Sequence, residues 1–204
     1  KGPAISEGLV HLAVQHPNNA DLQLAVKSSA APHAAAMLQQ IFSQKGRPPA
    51  DLSNHLLQLA TTGGQQEALA AVLNDLTGNT QITAGKLTIL AGLLDSLAAR
   101  GQTLTGFRAK AVPALKTALD KTDKLFAHAR ANPSRAESIA LLGRGLKTHA
   151  ADRQALHTLL GAMHPPAIQQ AALQSLRALN APDLSTQLLT GWRTYSPAMR
   201  ATVI

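Results

Sequence analysis

The chain has 204 residues, of which 45% are hydrophobic and 15% charged, with a formal net charge of +8. It contains no cysteine, which excludes disulfides, thiolate metal sites, cysteine nucleophiles and a covalently attached c-type haem within these residues. No stretch approaches the ~18 uninterrupted apolar residues of a membrane span.

The apolar content is almost all Ala, Leu, Val and Ile. The aromatics are Phe42, Phe107, Phe126, Trp192 and Tyr195. Ala and Leu lead the helix propensities, while the aromatic and β-branched residues that strands favour are scarce. In chain order, Ala34, Met37, Leu38 and Ile41 form an i, i+3, i+4, i+7 stripe. Leu69, Val72, Leu73 and Leu76 repeat it, and so do Leu156, Leu159, Leu160 and Met163. Each stripe predicts a helix with one buried face. Leu159, Leu160, Ile168, Leu173 and Leu176 are the expected core of the last third.

Breakers punctuate these stripes at His16-Pro17-Asn18-Asn19, Gly46-Arg47-Pro48-Pro49, Gly63-Gly64, Gly78-Asn79, Asn132-Pro133, His164-Pro165-Pro166 and Ser196-Pro197. Proline suits the first helical turn, where its missing N–H has no partner to lose. Each of these prolines therefore reads as a helix start, with segments of roughly 10–16 residues between them. Pro17 to Pro49 spans 32 residues, Pro133 to Pro166 spans 33 and Pro166 to Pro197 spans 31, and a unit starting near Ile82 keeps the period. One helical hairpin per such period is the mark of a stacked helical repeat. Residues 101–131 break the rhythm with Gly101, Gly106 and Pro113, and read as an insertion of one extra helix or one elongated, kinked helix.

The run Pro166-Ala167-Ile168-Gln169-Gln170-Ala171-Ala172-Leu173 and its counterpart Ser196-Pro197-Ala198-Met199-Arg200-Ala201 resemble the second helix of a HEAT repeat. The fold expected is all-α, a right-handed α–α superhelix of the HEAT/armadillo kind with about five to six hairpins. Residues 1–204 would form one array, truncated at both ends: Lys1-Gly2-Pro3 and Ala201-Thr202-Val203-Ile204 both read as cuts. A narrower resemblance rests on Leu141-Leu142-Gly143-Arg144, Pro166-Ala167-Ile168-Gln169 and Trp192 followed by Ser196-Pro197-Ala198-Met199-Arg200. These are similar to the helical region of the haem-binding, membrane-bound-dehydrogenase-like proteins of planctomycetes and verrucomicrobia. The resemblance implies a middle domain of an exported or periplasmic protein, whose dehydrogenase-like propeller and haem domain lie elsewhere. It implies no catalytic residue and no cofactor within these residues.

The charge is uneven. Residues 1–100 hold six basic and six acidic residues, whereas residues 101–204 hold thirteen basic and five acidic. Arg108, Lys110, Lys116, Lys121, Lys124 and Arg130 are the candidate basic interaction surface. Two uses compete for it. A scaffold would dock protein and carry these charges as a solvated flank. A nucleic-acid-binding solenoid, related to the DNA alkylation-repair glycosylases, would align them along phosphates. The scarcity of aromatics for base stacking weighs against nucleic acid. Asp120 and Asp123, beside Lys121 and Lys124, predict a mixed-charge face.

Catalytic constellations are not found. The histidines His11, His16, His33, His55, His128, His149, His157 and His164 contain no His-x-x-x-His pair and are expected at surfaces and helix ends rather than on a metal. Ser28, Ser29, Ser53 and Ser138 have no evident base. Gly143-Arg144-Gly145 is expected to end a helix.

Overall fold

In the computed structural model, the residues described are 2–43, 50–78, 81–147, 150–179, 181 and 183–203. The breaker at 46–49, Asn79, the Thr148-His149 pair and the terminal Lys1 and Ile204 lie outside them. Among the described residues every regular element is helical. The chain clusters into two compact units, Lys1–Thr122 and Asp123–Ile204.

The first unit contains α1 (Gly2–Gln15), α2 (Ala20–Ser29), α3 (Ala34–Ser43), α4 (Ala50–Thr62), α5 (Gln66–Gly78), α6 (Ala84–Ala98), α7 (Leu104–Ala109) and α8 (Pro113–Asp120), with a 3-10 turn at Ala31–His33. Short polar side chains set several starts. Asn19 accepts from the Leu22 amide ahead of α2, Thr83 from Lys86 ahead of α6, and Thr103 from Gly106 ahead of α7. Each cap satisfies a first-turn amide that the helix leaves unpaired. Pro113 supplies the first residue of α8. Gly64 and Gly101 take positive φ of 66° and 65° after α4 and α6, a conformation open to glycine at little cost.

The stripes at Ala34–Ile41 and Leu69–Leu76 are buried as expected. Most helices pack on the next or next but one, α1 on α2 and α3, α3 on α4 and α5, α2 on α4, α4 on α5 and α6, whereas α5 reaches past α6 and α7 to pack on α8. Two pairs of ties give direction to this packing. On α4 and α6, Asn54 abuts Gly92, and Arg100, just past α6, donates to the carbonyl of Thr61 near the end of α4 at 2.8 Å. On α5 and α8, the Val112 amide donates to Gln66 Oε1 at 2.7 Å, and Lys121 donates to Asn74 Oδ1 at 2.9 Å. In each pair the earlier tie on one helix meets the earlier on the other and the later meets the later, so α4 runs parallel to α6 and α5 parallel to α8.

The second unit contains α9 (Asp123–Ala131), α10 (Ala136–Ile139), α11 (Ala150–Leu159), α12 (Pro166–Leu179), α13 (Leu184–Thr190) and α14 (Pro197–Val203), with a 3-10 turn at Trp192–Thr194. Its core gathers Ile139, Leu142, Leu156, Leu160, Leu173, Leu176, Leu188, Tyr195 and Met199. The same relation of alternate helices recurs. Arg153 and His157 of α11 meet Asp183 and Gln187 at the start and middle of α13. Gln169 and Arg177 of α12 meet Ser196 and Thr202 at the start and end of α14. α11 is therefore parallel to α13, and α12 to α14.

Several expectations need correction. Pro166 and Pro197 do begin helices, but α2 begins three residues after Pro17, at Ala20 behind its Asn19 cap, and α10 begins at Ala136 rather than Pro133. In both cases a turn follows the proline before the helix starts. Residues 101–131 hold three short helices, α7, α8 and α9, not one extra or kinked helix. Several segments, α7, α10, α13 and α14 among them, fall short of the lengths predicted from the breakers. Met163 is 86% exposed, because α11 ends at Leu159 and the chain turns away, with the Ala162 amide donating to the Thr194 carbonyl. Ile168 is only partly buried against the core, while Leu159, Leu160, Leu173 and Leu176 are buried.

Candidate interaction surface

The six basic candidates divide between the two units. Arg108, on the last turn of α7, donates from Nε to Asp120 Oδ1 at 2.6 Å and from Nη2 to Asp120 Oδ2 at 2.7 Å. This is a two-pronged, charge-assisted pair. The hydrogen bond and the facing guanidinium hold the Asp120 carboxyl below the usual carboxylate range, and the same contact raises Arg108. Lys110, just after α7, is exposed, and Lys116 on α8 is half-buried. Lys121, at the end of α8, reaches across to Asn74 on α5. Within this unit, two of the four candidates are thus held by neighbours on other helices.

Lys124 and Arg130 lie on α9 of the second unit and line one cleft of about 380 Å³ together with Asp123, Phe126, Gly145 and Lys147. Arg130 donates from Nε to Asp152 Oδ1 at 2.7 Å and from Nη2 to Oδ2 at 3.2 Å. Asp152 is 2% exposed and also accepts from the Gly143 amide at 3.0 Å. That amide is presented by a backbone with φ of 75° at Gly143, where the turn after α10 ends. Gly143 was expected to end a helix, but α10 stops at Ile139 and the glycine instead closes the turn that follows, positioning an N–H for a buried carboxylate. Arg130 is therefore a structural cation joining α9, this turn and α11. Lys147 pairs with Asp123 at 2.6 Å, which raises its pKa. Asp120 pairs with Arg108 and Asp123 with Lys147.

The histidines scatter. His11 and His16 are exposed, and His33, His55, His128, His157 and His164 are half-buried, while His149 lies outside the described residues. His55 Nε2 lies 3.2 Å from the Lys27 carbonyl, and His157 Nε2 lies 2.6 Å from Gln187 Oε1. No group of three metal-binding side chains forms among the described residues. Sequence spacing could not reveal the His157 contact, since its partner lies 30 residues away on a different helix. The signal available was the pair of four-residue steps, Arg153 to His157 and Asp183 to Gln187, which put two polar faces in register.

No helix of the described residues is long and apolar enough to cross a membrane. Comparison of the chain with protein-family models, with curated proteins and with solved structures gives no match.

Proposed function

We propose that this chain is a HEAT-like α-solenoid segment, a right-handed α–α superhelix acting as a non-catalytic scaffold that docks protein. Its partners in this reading are neighbouring domains of its own longer chain, an exported, haem-containing, dehydrogenase-like protein. The observation that supports the reading is the parallel run of helices that are close in sequence but not adjacent: α4 with α6, α11 with α13 and α12 with α14, each one helix apart, and α5 with α8, two helices apart. Stacked hairpins produce that relation, because each repeat contacts only its neighbours and lays its two helices beside their counterparts. Such a stack leaves an extended face for a partner.

The competing nucleic-acid reading draws on the same basic stretch. Arg108, Lys121 and Arg130 are already bonded to Asp120, Asn74 and Asp152, so phosphate contacts there would displace existing partners. The scaffold reading expects the purified chain to lack a haem absorption band and dehydrogenase turnover. It also expects duplex DNA binding to vanish near physiological salt, where exposed charges are screened. A Soret band in the isolated chain overturns the scaffold. Tight DNA binding at physiological salt that is lost on Lys116→Glu and Lys124→Glu establishes the rival.

A further inference from the structure

We propose that the cleft between α11 and α13 binds a small molecule through an oxyanion group, a carboxylate or a phosphate. The cleft has a volume of about 460 Å³ and lies wholly within the second unit, lined by Arg153, Gln154, His157, Gln187, Thr190 and Tyr195 among others. That volume falls within the range of small-molecule sites.

Several hydrogen-bonding groups of the cleft wall are already used. Gln187 gives its side-chain amide N–H to Asp183, which fixes its Oε1 toward His157. That oxygen can only accept, so His157 carries its proton on Nε2 and donates it to Gln187. Thr190 donates its hydroxyl to the Thr186 carbonyl at 2.9 Å, and Thr194, also on the cleft wall, donates to Gly191 at 2.7 Å. These groups are spent as donors.

Tyr195 is different. Its ring is buried in the core and its side chain lines the cleft. The ring passes so close to Gly191 that a Cβ there would lie 2.5 Å from the hydroxyl oxygen. A glycine at this point is what allows the hydroxyl to reach the cleft. Burial pushes the phenol pKa up, which keeps it a donor at neutral pH. Arg153 adds positive charge, held only at 3.5 Å from Asp183, with guanidinium N–H groups to spare. Gln154 adds an exposed amide. The wall thus offers the Tyr195 hydroxyl, the Gln154 amide and spare Arg153 N–H groups as donors, with acceptors left on His157 Nδ1 and the threonine oxygens, and Arg153 is the one charged residue that lines it among the described residues. An acceptor-rich anion is the complement.

The test titrates the whole chain with inorganic phosphate and, separately, with acetate, following backbone amides by NMR and the fluorescence of Trp192, the sole tryptophan. The expected result is saturable shifts confined to α11 and residues 187–195, with a dissociation constant on the order of millimolar for at least one probe. The tighter of the two names the oxyanion. Tyr195→Phe, which keeps the ring and its packing, should weaken binding about tenfold, and Arg153→Gln should remove it. Gln154→Ala, at an exposed position, should weaken binding without touching the core. The proposal is overturned if neither probe saturates. It is equally overturned if shifts spread over basic residues elsewhere, or if binding survives Tyr195→Phe and Arg153→Gln unchanged.

Discussion

Arg100 Nη1 donates to the backbone carbonyl of Thr61 at 2.8 Å across 39 residues of sequence. The carbonyls of a last helical turn lack intrahelical partners and carry the negative end of the helix dipole. A guanidinium from beyond the next-but-one helix satisfies one of them and fixes where α6 stops relative to α4. Arg100→Ala is expected to cost about 1 kcal/mol in denaturant unfolding. A shift that Arg100→Lys reproduces in full would mean that the geometry of the fork is irrelevant.

Gly92 sits in the middle of α6 where Asn54 of α4 occupies the space a Cβ would need. Ordinarily Gly→Ala inside a helix gains about 1 kcal/mol. Here the gain should be cancelled or reversed, because Asn54 must swing out of its place. Asn54 Oδ1 is buried with no partner among the described residues, so removing it should be cheap. The double variant Gly92→Ala, Asn54→Ala should then recover the helix gain. A double-mutant cycle measures this directly, and strict additivity of the two changes would refute the close approach.

Asp152 joins three pieces of the second unit through Arg130 and the Gly143 amide. Asp152→Asn keeps the shape but removes the charge facing Arg130. A loss of about 3 kcal/mol is expected, at the low end for breaking a buried pair because Arg130 is partly exposed. The exposed Arg108–Asp120 pair should respond far less to Asp120→Asn, as surface ion pairs do. Equal losses at the two sites, measured by urea unfolding, would contradict the burial difference.

Acid titration separates the Asp120 contact from its surroundings. Its carboxyl is held below the usual range by Arg108, so the folded state binds that proton less readily than the unfolded chain. The stabilisation is present above the ordinary carboxylate pKa and fades as pH falls through the lowered one. In Arg108→Gln the Asp120 midpoint, followed by carboxyl NMR, should return upward. For Tyr195 the sign is opposite. Its raised pKa favours the folded state below the ordinary phenol value of 10.0, and that advantage drains away as pH climbs past it. Tyr195→Phe should flatten the alkaline limb of the stability curve.

Leu176 is 1% exposed in the core shared by α10, α11, α12 and α14. Leu176→Ala should cost about 2–5 kcal/mol. An effect below about half a kcal/mol would place the wrong face of α12 inward.

The helical content and much of the core were legible in the residues, because i, i+3, i+4 stripes such as Leu69–Leu76 encode burial within one element. Proline was a weaker guide. It marked the starts of α12 and α14, where Ser196 accepts from the Met199 amide ahead of Pro197. It misplaced α2, where Asn19 outcompetes Pro17 as the boundary. Met163 fitted its stripe in spacing but not in space, since a periodic pattern carries no information about where the helix has already ended. The charge pairs were hidden for a different reason. Arg108 finds Asp120 and Arg130 finds Asp152 at separations of 12 and 22 residues, set by how helices pack rather than by helical spacing. The cleft shares that cause: its wall joins His157 of α11 to Gln187 of α13, 30 residues apart.

The ties between parallel helices are all short in sequence: 39 residues from Thr61 to Arg100, 46 and 47 between α5 and α8, and 30 from His157 to Gln187. A chain whose fastenings close small loops loses little entropy in making each one, and topologies dominated by such near contacts fold quickly. Order within either unit can therefore begin at any adjacent pair of helices and spread along the chain, with no distant strand to wait for.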